Sequence, residues 1–367
     1  MSGSMYGNLF KMATFGESHG KGIGVIVDGC PAGLTLTEDM IQTYLNRRRP
    51  GQSKYATPRK ESDTAQILSG VFEQKTTGTP ITILVMNTNQ QSADYSEIAN
   101  YYRPGHADYT YDEKYGFRDY RGGGRSSGRE TIGRVAAGAV AMAILNQLGI
   151  SVCAYTKSIG DITIDYKNCS KENILLSPLA MPDLKASETA QAFLDGKMKE
   201  LDSAGGIIEC IVSGMQAGVG EPVFDKLDAN LAKAILSIGA VKGIEFGSGF
   251  QTAKMTGLQN NDNFRYTKDG KVNKLTNHAG GILGGISDGS EIIFRTCIKP
   301  TPSIAQTQNT IDKSGENIKV NIKGRHDPII VPRAVVVVEA MTAVTIVDML
   351  FMSMTSKMDQ VVKYFRK

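Results

Sequence analysis

The chain has 367 residues, 41% of them hydrophobic, with 41 lysines and arginines against 37 acidic residues. This length allows a sizeable buried core, and a net charge of only +4 excludes the strongly basic balance of a general nucleic-acid-binding protein. Five cysteines without a CxxC pair argue against a disulfide or zinc framework and favour a reducing compartment.

The predicted elements mix helices and strands without regular alternation, which indicates the α+β class. In chain order they are a helix from Thr37 to the Pro50-Gly51 stop, a strand at 81–86, a helix opened by a capping box of Ser127 and Glu130 and ended at Gly149, a helix within 183–202, a strand at 206–215, a helix within 224–237 and a strand at 290–298.

The most apolar stretch begins at Ala334 and is long enough to suggest a membrane span. Glu339 and Asp348 interrupt it where charge is costly in lipid, so we predict a strand followed by a buried helix. Because the N-terminus also lacks the pattern of a signal peptide, we predict a cytoplasmic protein without membrane contact. Residues 1–4 are predicted to be an added leader, and 5–367 a single catalytic domain.

Residues 121–134, "RGGGRSSGRETIGR", combine four arginines with five glycines. The glycines permit close approach to the backbone, and the following helix start offers unpaired amides and a positive dipole end. We therefore predict an anion site made by Arg125, Ser126 and Ser127. Two alternatives are a solvated arginine loop and an RGG-type RNA-binding segment.

A second basic cluster spans residues 45–61. On a helix, Arg48 falls on the apolar stripe of Ile41 and Leu45, while Arg47 and Arg49 diverge from it. We expect Arg48 to face a bound anion. The alternative is that these cations only complement the C-terminal end of the helix dipole.

The four histidines, His19, His106, His278 and His326, all lie in turns that contain glycine or proline. This placement suits proton donors or acceptors near neutral pH, although any one of them is also compatible with a structural role. The spacings HxH and HExxH do not occur, so no metal site is predicted. The dinucleotide and P-loop signatures are absent as well, and "KPTPS" at 299–303 is a further candidate anion contact.

Five long motifs stand out in this chain. They are "GESHG" at 16–20, "RPGHADYTY" at 103–111, "GGGRSSGRETIGRVAAGA" at 122–139, "NHAGGILGGISDG" at 277–289 and "GRHDPIIVPRAVVVVEAM" at 324–341. Together they resemble the chorismate synthase family. The resemblance implies an α+β sandwich with helices packed between antiparallel sheets, assembled as a homotetramer.

The implied reaction is the last common step of the shikimate pathway to aromatic amino acids. The substrate 5-enolpyruvylshikimate 3-phosphate loses phosphate and a hydrogen from carbon 6 by anti-1,4 elimination, giving chorismate. Reduced FMN is required without net redox change. NADPH or a separate flavin reductase is expected to supply the reducing equivalents. The competing enzyme class is an oxidoreductase with net hydride transfer.

The resemblance also implies roles for individual residues. His19 is expected to protonate the leaving phosphate, His106 to lie near the reduced flavin, and Asp327 to assist proton movement. Arg48 and Lys54 match sites assigned to NADP. At position 54 some members of the family have arginine. Beyond the resemblance, we expect Arg129 and Arg134 to hold substrate or flavin phosphate. Because they lie about 140° apart on a helix, they cannot both face the same small anion squarely. The expected FMN contacts are Arg125, Ser126, Ser127, Gly239, Ala240, Gly284, Lys299, Pro300, Thr301, Pro302, Ser303 and Arg325.

Overall fold

The fold is taken from a computed structural model that describes residues 3–56, 61–87, 97–322 and 327–366. The helices are α1 (Glu38–Arg48), α2 (Asp108–Tyr115), α3 (Thr131–Gln147), α4 (Lys171–Leu176), α5 (Leu184–Lys199), α6 (Leu227–Leu236), α7 (Gly257–Asn260), α8 (Val331–Ser353) and α9 (Met358–Phe365). The strands are β1 (Met5–Tyr6), β2 (Lys11–Gly16), β3 (Gly22–Asp28), β4 (Ala65–Ser69), β5 (Val71–Phe72), β6 (Lys75–Thr76), β7 (Ile81–Met86), β8 (Ser151–Ile159), β9 (Ile162–Thr163), β10 (Gly206–Ser213), β11 (Val241–Phe246), β12 (Phe264–Tyr266), β13 (Val272–Lys274), β14 (Ile282–Leu283), β15 (Ile286–Ser287), β16 (Ile292–Ile298), β17 (Thr307–Ile311) and β18 (Asn317–Asn321).

Two antiparallel sheets form the outer layers of the described part of the chain. The first has the strand order β1-β2-β3-β7-β4, and the second has the order β11-β16-β10-β8-β9. In the first sheet Phe15 lies opposite Gly24, and the absence of a side chain at Gly24 leaves room for the Phe15 ring. The alternating apolar pattern of β7, with Ile81, Ile83 and Val85 buried, turns one face of this sheet towards the helices.

Helices fill the space between the two sheets. Helix α3 packs against β2, β3 and β7 of the first sheet, and α8 packs against β8 and β10 of the second. The two helices also pack on each other, and they approach so closely that a Cβ atom at Gly138 would overlap Ala340. This arrangement confirms the predicted α+β sandwich with helices between antiparallel sheets.

Helix α8 corrects the prediction for the apolar stretch. The stretch forms one helix, Val331–Ser353, so the part predicted to be a strand is helical as well. The valines that favour a strand are buried on every side, and this packing outweighs their intrinsic preference. The helix is long and apolar enough to cross a membrane, but 83% of its most apolar window is buried inside the protein.

Both carboxylates of α8 have partners that explain their burial. Glu339 pairs with Arg47 at 2.7 Å and accepts a hydrogen bond from the amide of Ala154 at 2.9 Å. Asp348 accepts hydrogen bonds from the backbone amides of residues 8–10 at 2.7–3.0 Å. Its carboxylate thus accepts the hydrogen bonds of the backbone amides in the segment that joins β1 to β2.

The helix starts were predicted with mixed success. Thr37 caps α1 through a hydrogen bond from the Met40 amide, as expected. The predicted capping box of Ser127 and Glu130 is wrong, because α3 begins only at Thr131. Two short 3₁₀ turns, Gly124–Ser126 and Gly128–Glu130, precede it. Glu130 does not cap the helix because its carboxylate binds Arg134 at 2.9 Å.

Candidate active site

His19 lies in the turn that joins β2 to β3, packed against the glycines of residues 122–124. Its Nδ1 atom is 3.1 Å from the hydroxyl of Ser18, which donates to the carbonyl of Gly122 at 3.2 Å. Since the hydroxyl has only one proton, Nδ1 of His19 must be the donor to Ser18. Gly122 has φ +62°, and a Cβ atom there would overlap the imidazole ring. The glycine is therefore required by both backbone conformation and space.

The second histidine is held by two hydrogen bonds. His106 Nδ1 lies 3.0 Å from the carbonyl of Pro104, and Nε2 lies 2.8 Å from the hydroxyl of Ser303. A carbonyl only accepts, so Nδ1 carries the proton; in the neutral ring Nε2 then accepts from Ser303. Burial, followed by repulsion from Arg103, lowers the pKa of His106 from 6.5 to about 4. The ring is therefore neutral at pH 7 in this environment.

Arg103 joins the His106 loop to the glycine turn. It binds Asp108 in bidentate fashion, with Nε and Nη2 each 2.8 Å from a carboxylate oxygen. A Cβ atom at Gly123 would lie 3.9 Å from Arg103 Nη2. The two histidine loops are thus connected through Gly122, Gly123 and Arg103.

Arg125, Ser126 and Ser127 form the turns that precede α3. Arg125 reaches back to β2, where it donates to the Thr14 hydroxyl at 2.6 Å and to the Gly16 carbonyl at 3.1 Å. Ser126 donates to the Gly123 carbonyl at 2.7 Å, and Ser127 accepts from the Arg129 amide at 3.4 Å. The side chains therefore stabilise the turn itself.

The segment Lys299–Ser303 follows β16 and lies against the His106 loop. Lys299 donates from Nζ to the Gly105 carbonyl at 2.7 Å, and its amide donates to the carbonyl of Ala240 at 2.9 Å. Ala240 has φ +71°, an uncommon conformation for a residue with a side chain. The hydroxyl of Thr301 is buried and has no hydrogen-bond partner among the described residues.

Arg48 and Arg129 meet at one buried carboxylate. Asp63 lies 2.7 Å from Arg48 Nη1 and 3.1 Å from Arg129 Nη1. Arg48 also donates to the Thr131 hydroxyl at 3.0 Å and to the Gly128 carbonyl at 3.2 Å. The prediction that Arg48 follows the apolar stripe into the interior is confirmed, since only 2% of the residue is exposed.

Arg129 connects this carboxylate to the His19 turn. It pairs with Glu61, and its Nε donates to the side-chain oxygen of Asn87 at 2.8 Å. The amide nitrogen of Asn87 in turn donates to the carbonyls of Glu17 and Gly20, on either side of His19. One asparagine thus fixes Arg129 relative to His19.

Arg134 and Asp327 each contact a neighbouring element. Arg134 donates to the hydroxyl of Ser237 at 2.6 Å, just before the predicted contacts Gly239 and Ala240. Asp327 accepts from Arg333 Nη1 at 2.9 Å, and Nε of Arg333 donates to the Arg48 carbonyl at 3.1 Å. Arg325, together with His326, lies outside the described residues.

A search of protein-family models matches residues 10–351 to "Chorismate synthase". The chain belongs to the chorismate synthase family. This result confirms the resemblance, and with it the assignment as a carbon–oxygen lyase of the shikimate pathway.

Curated relatives with the name chorismate synthase cover essentially the whole chain. The protein of Lachnoclostridium phytofermentans is 71% identical over 367 residues, all of both chains. That of Agathobacter rectalis is 64% identical, again over all of both chains. That of Methanosarcina mazei is 51% identical over 95% of this chain and 96% of its own. A crystal structure of chorismate synthase matches with a TM-score of 0.77 and 30% identity, covering 98% of this chain and 97% of the other.

Two of the residues predicted by the chorismate synthase resemblance lie apart from this cluster. Lys54 is exposed and pairs with Asp195 of α5 at 3.0 Å. Gly284 lies in the β14–β15 turn, and the adjacent Gly285 carbonyl accepts from the Leu227 amide at the start of α6. Gly239 follows the other end of α6, about 15 Å away along a ten-residue helix. Gly239 and Gly284 of one chain therefore do not meet at one small group.

Four residues of this candidate site were not predicted from the sequence. They are Asp63, Asn87, Arg103 and Arg333. Arg103 and Arg333 fall inside quoted motifs, so their motif membership was an available signal. Asp63 and Asn87 fall outside these motifs, and only the folded chain brings them to the arginines.

Proposed function

We propose that the residues around the Gly122–Glu130 turn carry out the chorismate synthase reaction. In it, 5-enolpyruvylshikimate 3-phosphate loses phosphate and a carbon 6 hydrogen by anti-1,4 elimination to give chorismate. The observation that carries the proposal is the convergence of two turn histidines with Arg103, Arg125 and Arg129 on this one glycine-rich turn.

Charge is the first requirement that this arrangement meets. The substrate carries one phosphate and two carboxylates, and FMN adds another phosphate, so roughly five or six negative charges have to be held. Guanidinium groups suit this task because they stay charged and bind oxyanions in pairs. Arg125 contacts neutral oxygens of Thr14 and Gly16, and the Glu130 carboxylate is 3.9 Å away. Its charge is therefore only weakly compensated within the chain.

His19 is proposed as the acid for the departing phosphate. Its Nδ1 donates to Ser18, so Nε2 is the atom that would transfer a proton. The ring packs against Gly122, and the arginines of the turn would stabilise the charge that develops on the phosphate oxygens.

His106 and Asp327 are proposed to handle the remaining proton. The pKa of His106 is held near 4 by burial and by Arg103. An anion placed beside this ring would raise that pKa again, because an opposite charge favours the protonated form. Asp327 keeps its carboxylate oriented through Arg333 at 2.9 Å.

The residues around Lys299–Ser303 fit the phosphate of FMN. The buried Thr301 hydroxyl has no partner among the described residues, and a Cβ atom at Gly239 would meet open space. Lys299 and Arg125 supply further donors, with Ser303, Pro300, Pro302, Ser126, Ser127, Ala240 and Arg325 as proposed neighbours. Gly284, which lies apart from Gly239 within one chain, is proposed to contact another part of FMN. Reduced FMN, when bound, would lend the substrate an electron transiently, so that the reaction has no net redox change.

The source of electrons, the assembly and the location are part of the same proposal. NADPH acting on the bound flavin, or a separate flavin reductase, would supply reducing equivalents, with Arg48, Lys54 and Arg134 as proposed contacts for NADP or substrate. The protein is proposed to be a cytoplasmic homotetramer. Exposed apolar side chains at Phe250 and Leu258 support association with further copies.

An anaerobic assay tests the proposal. The protein is mixed with chemically reduced FMN, NADPH and the enolpyruvyl phosphate substrate, and phosphate, chorismate and NADPH are measured together. We expect equimolar release of phosphate and chorismate without consumption of stoichiometric NADPH. An absence of turnover while the flavin stays reduced contradicts the proposal, and NADPH oxidation in proportion to product indicates an oxidoreductase instead.

A further inference from the structure

We infer that Asp63 is a positioning residue that, paired with Arg48, orients the guanidinium group of Arg129 for substrate binding. One carboxylate oxygen faces Arg48 at 2.7 Å, and the other faces Arg129 at 3.1 Å. A single side chain therefore contacts two cations that come from different elements, the end of α1 and the turn before α3.

The backbone of Asp63 is held in an unusual conformation. Its φ is +46°, a region that residues with a side chain rarely adopt. Gln42 of α1 stabilises the segment, with its amide nitrogen 3.3 Å from the Asp63 carbonyl and its oxygen accepting from the Ala65 amide at 3.0 Å. Backbone strain of this kind persists where the surroundings require the residue to point in one direction.

The charge of Asp63 compensates a buried cation. Burial, followed by repulsion from Arg333, lowers the pKa of Arg48 to about 10, and Asp63 opposes that change. The Asp63 side chain has no exposed surface, and that of Arg48 is 3% exposed. A neutral residue at position 63 would leave the buried charge of Arg48 unpaired. The guanidinium group would then reorient towards another carboxylate.

The orientation of Arg48 is transmitted to the anion-binding turn. Arg48 donates to the Gly128 carbonyl and to the Thr131 hydroxyl, on either side of Arg129 in the chain. Asp63 therefore acts on Arg129 both directly and through the backbone that carries it. This inference depends on the proposed function, in which Arg129 contacts the substrate.

A double-mutant cycle tests the inference. Asp63→Asn is introduced into the wild-type chain and into Arg129→Gln, and kcat/KM for the substrate is measured with saturating reduced FMN. Asn is chosen because it tolerates positive φ and keeps the shape of the side chain. We expect an about 100-fold loss in the wild-type background. In the Arg129→Gln background the loss should be less than about threefold, because the contact is already gone.

A purely structural role gives a different result. If Asp63 only stabilises the fold, its substitution lowers kcat/KM by the same factor in both backgrounds, which overturns the inference. Asp269→Asn is the matched control, since it removes the same charge from an exposed pair with Lys271 at 3.2 Å. Its kcat/KM should equal that of the wild type.

A second variant covers the case in which Asp63→Asn does not fold. Gln42→Ala releases the Asp63 backbone without removing a charge, and we expect an about tenfold loss that again disappears in Arg129→Gln. Equal losses in both backgrounds contradict the inference. A wild-type protein without turnover contradicts the proposed function instead, so the two failures are distinguishable.

Discussion

The hydroxyl of Ser303 donates a hydrogen bond to Nε2 of His106 across 2.8 Å, and the Pro104 carbonyl fixes the proton on Nδ1. Two residues about 200 positions apart thereby set the tautomer of one imidazole ring. The pairing joins the "RPGH" and "KPTPS" motifs into one site.

His106→Ala should abolish most turnover while substrate binding is retained. The substitution removes a proton-handling group but no cation, so kcat should fall about 10²–10⁴-fold. The dissociation constant of the substrate, measured by calorimetry without reduced flavin, should change less than about threefold. Unchanged kcat would remove His106 from the mechanism.

Stability should depend on pH through His106. Its folded pKa of about 4 lies below the ordinary 6.5, so between these values the unfolded chain holds a proton that the folded chain does not. The resulting contribution to the free energy of unfolding is fully present above pH 6.5 and is lost as the pH falls towards 4. We expect His106→Asn to reduce the loss of unfolding free energy between pH 7 and 5, by on the order of 1 kcal/mol. Urea unfolding of the wild type and of His106→Asn at several pH values measures this difference. Parallel curves of unfolding free energy against pH for the two proteins would contradict the prediction.

Asp327→Asn should lower turnover without weakening flavin binding. Asparagine keeps an oxygen that accepts from Arg333, which lies 2.9 Å away in the wild type, but it no longer accepts a proton. We expect at least a tenfold loss in kcat and an unchanged dissociation constant for reduced FMN. A parallel loss of FMN affinity would indicate that Asp327 serves binding and not proton transfer.

Much of the fold was predictable because it follows from local patterns. Alternating apolar residues gave the strand at Ile81–Met86, and helical periodicity placed Arg48 inside. Local patterns predicted the wrong structure where long-range packing determines the secondary structure. The valines of α8 form a helix because sheets and helices bury them on all sides, and Glu130 binds Arg134 instead of capping α3.

The site was predictable only in part, for the same reason. His19, His106 and the Arg125–Ser127 turn were identified by their motifs. Asp63 was not, because its role depends on contacts with Arg48 and Arg129, which are 15 and 66 positions away in the chain. The division of the chain into a leader and a single domain stays a prediction.

The ion pair of half-buried Arg47 and buried Glu339 should stabilise the helices packed between the sheets. Glu339→Gln removes the charge that faces Arg47 at 2.7 Å in a place where Glu339 itself is almost fully buried. Breaking one side of such a pair costs about 3 kcal/mol in unfolding free energy. Chemical denaturation measures the effect, and Glu188→Gln on the exposed face of α5 is the control. Equal stability of the two variants contradicts the expectation.

Gly122→Ala should displace His19 and lower activity far more than stability. The new Cβ atom would overlap the imidazole ring, and φ of +62° adds backbone strain of about 1 kcal/mol. Gly149→Ala is a matched control, since Gly149 has φ +69° but open space around the Cβ position, at the end of α3. Both variants should lose similar unfolding free energy from strain. Only Gly122→Ala should lose about 100-fold in kcat, because an active-site group moved by about 1 Å no longer reaches its target. Equal activity of the two variants would show that the position of His19 does not limit turnover.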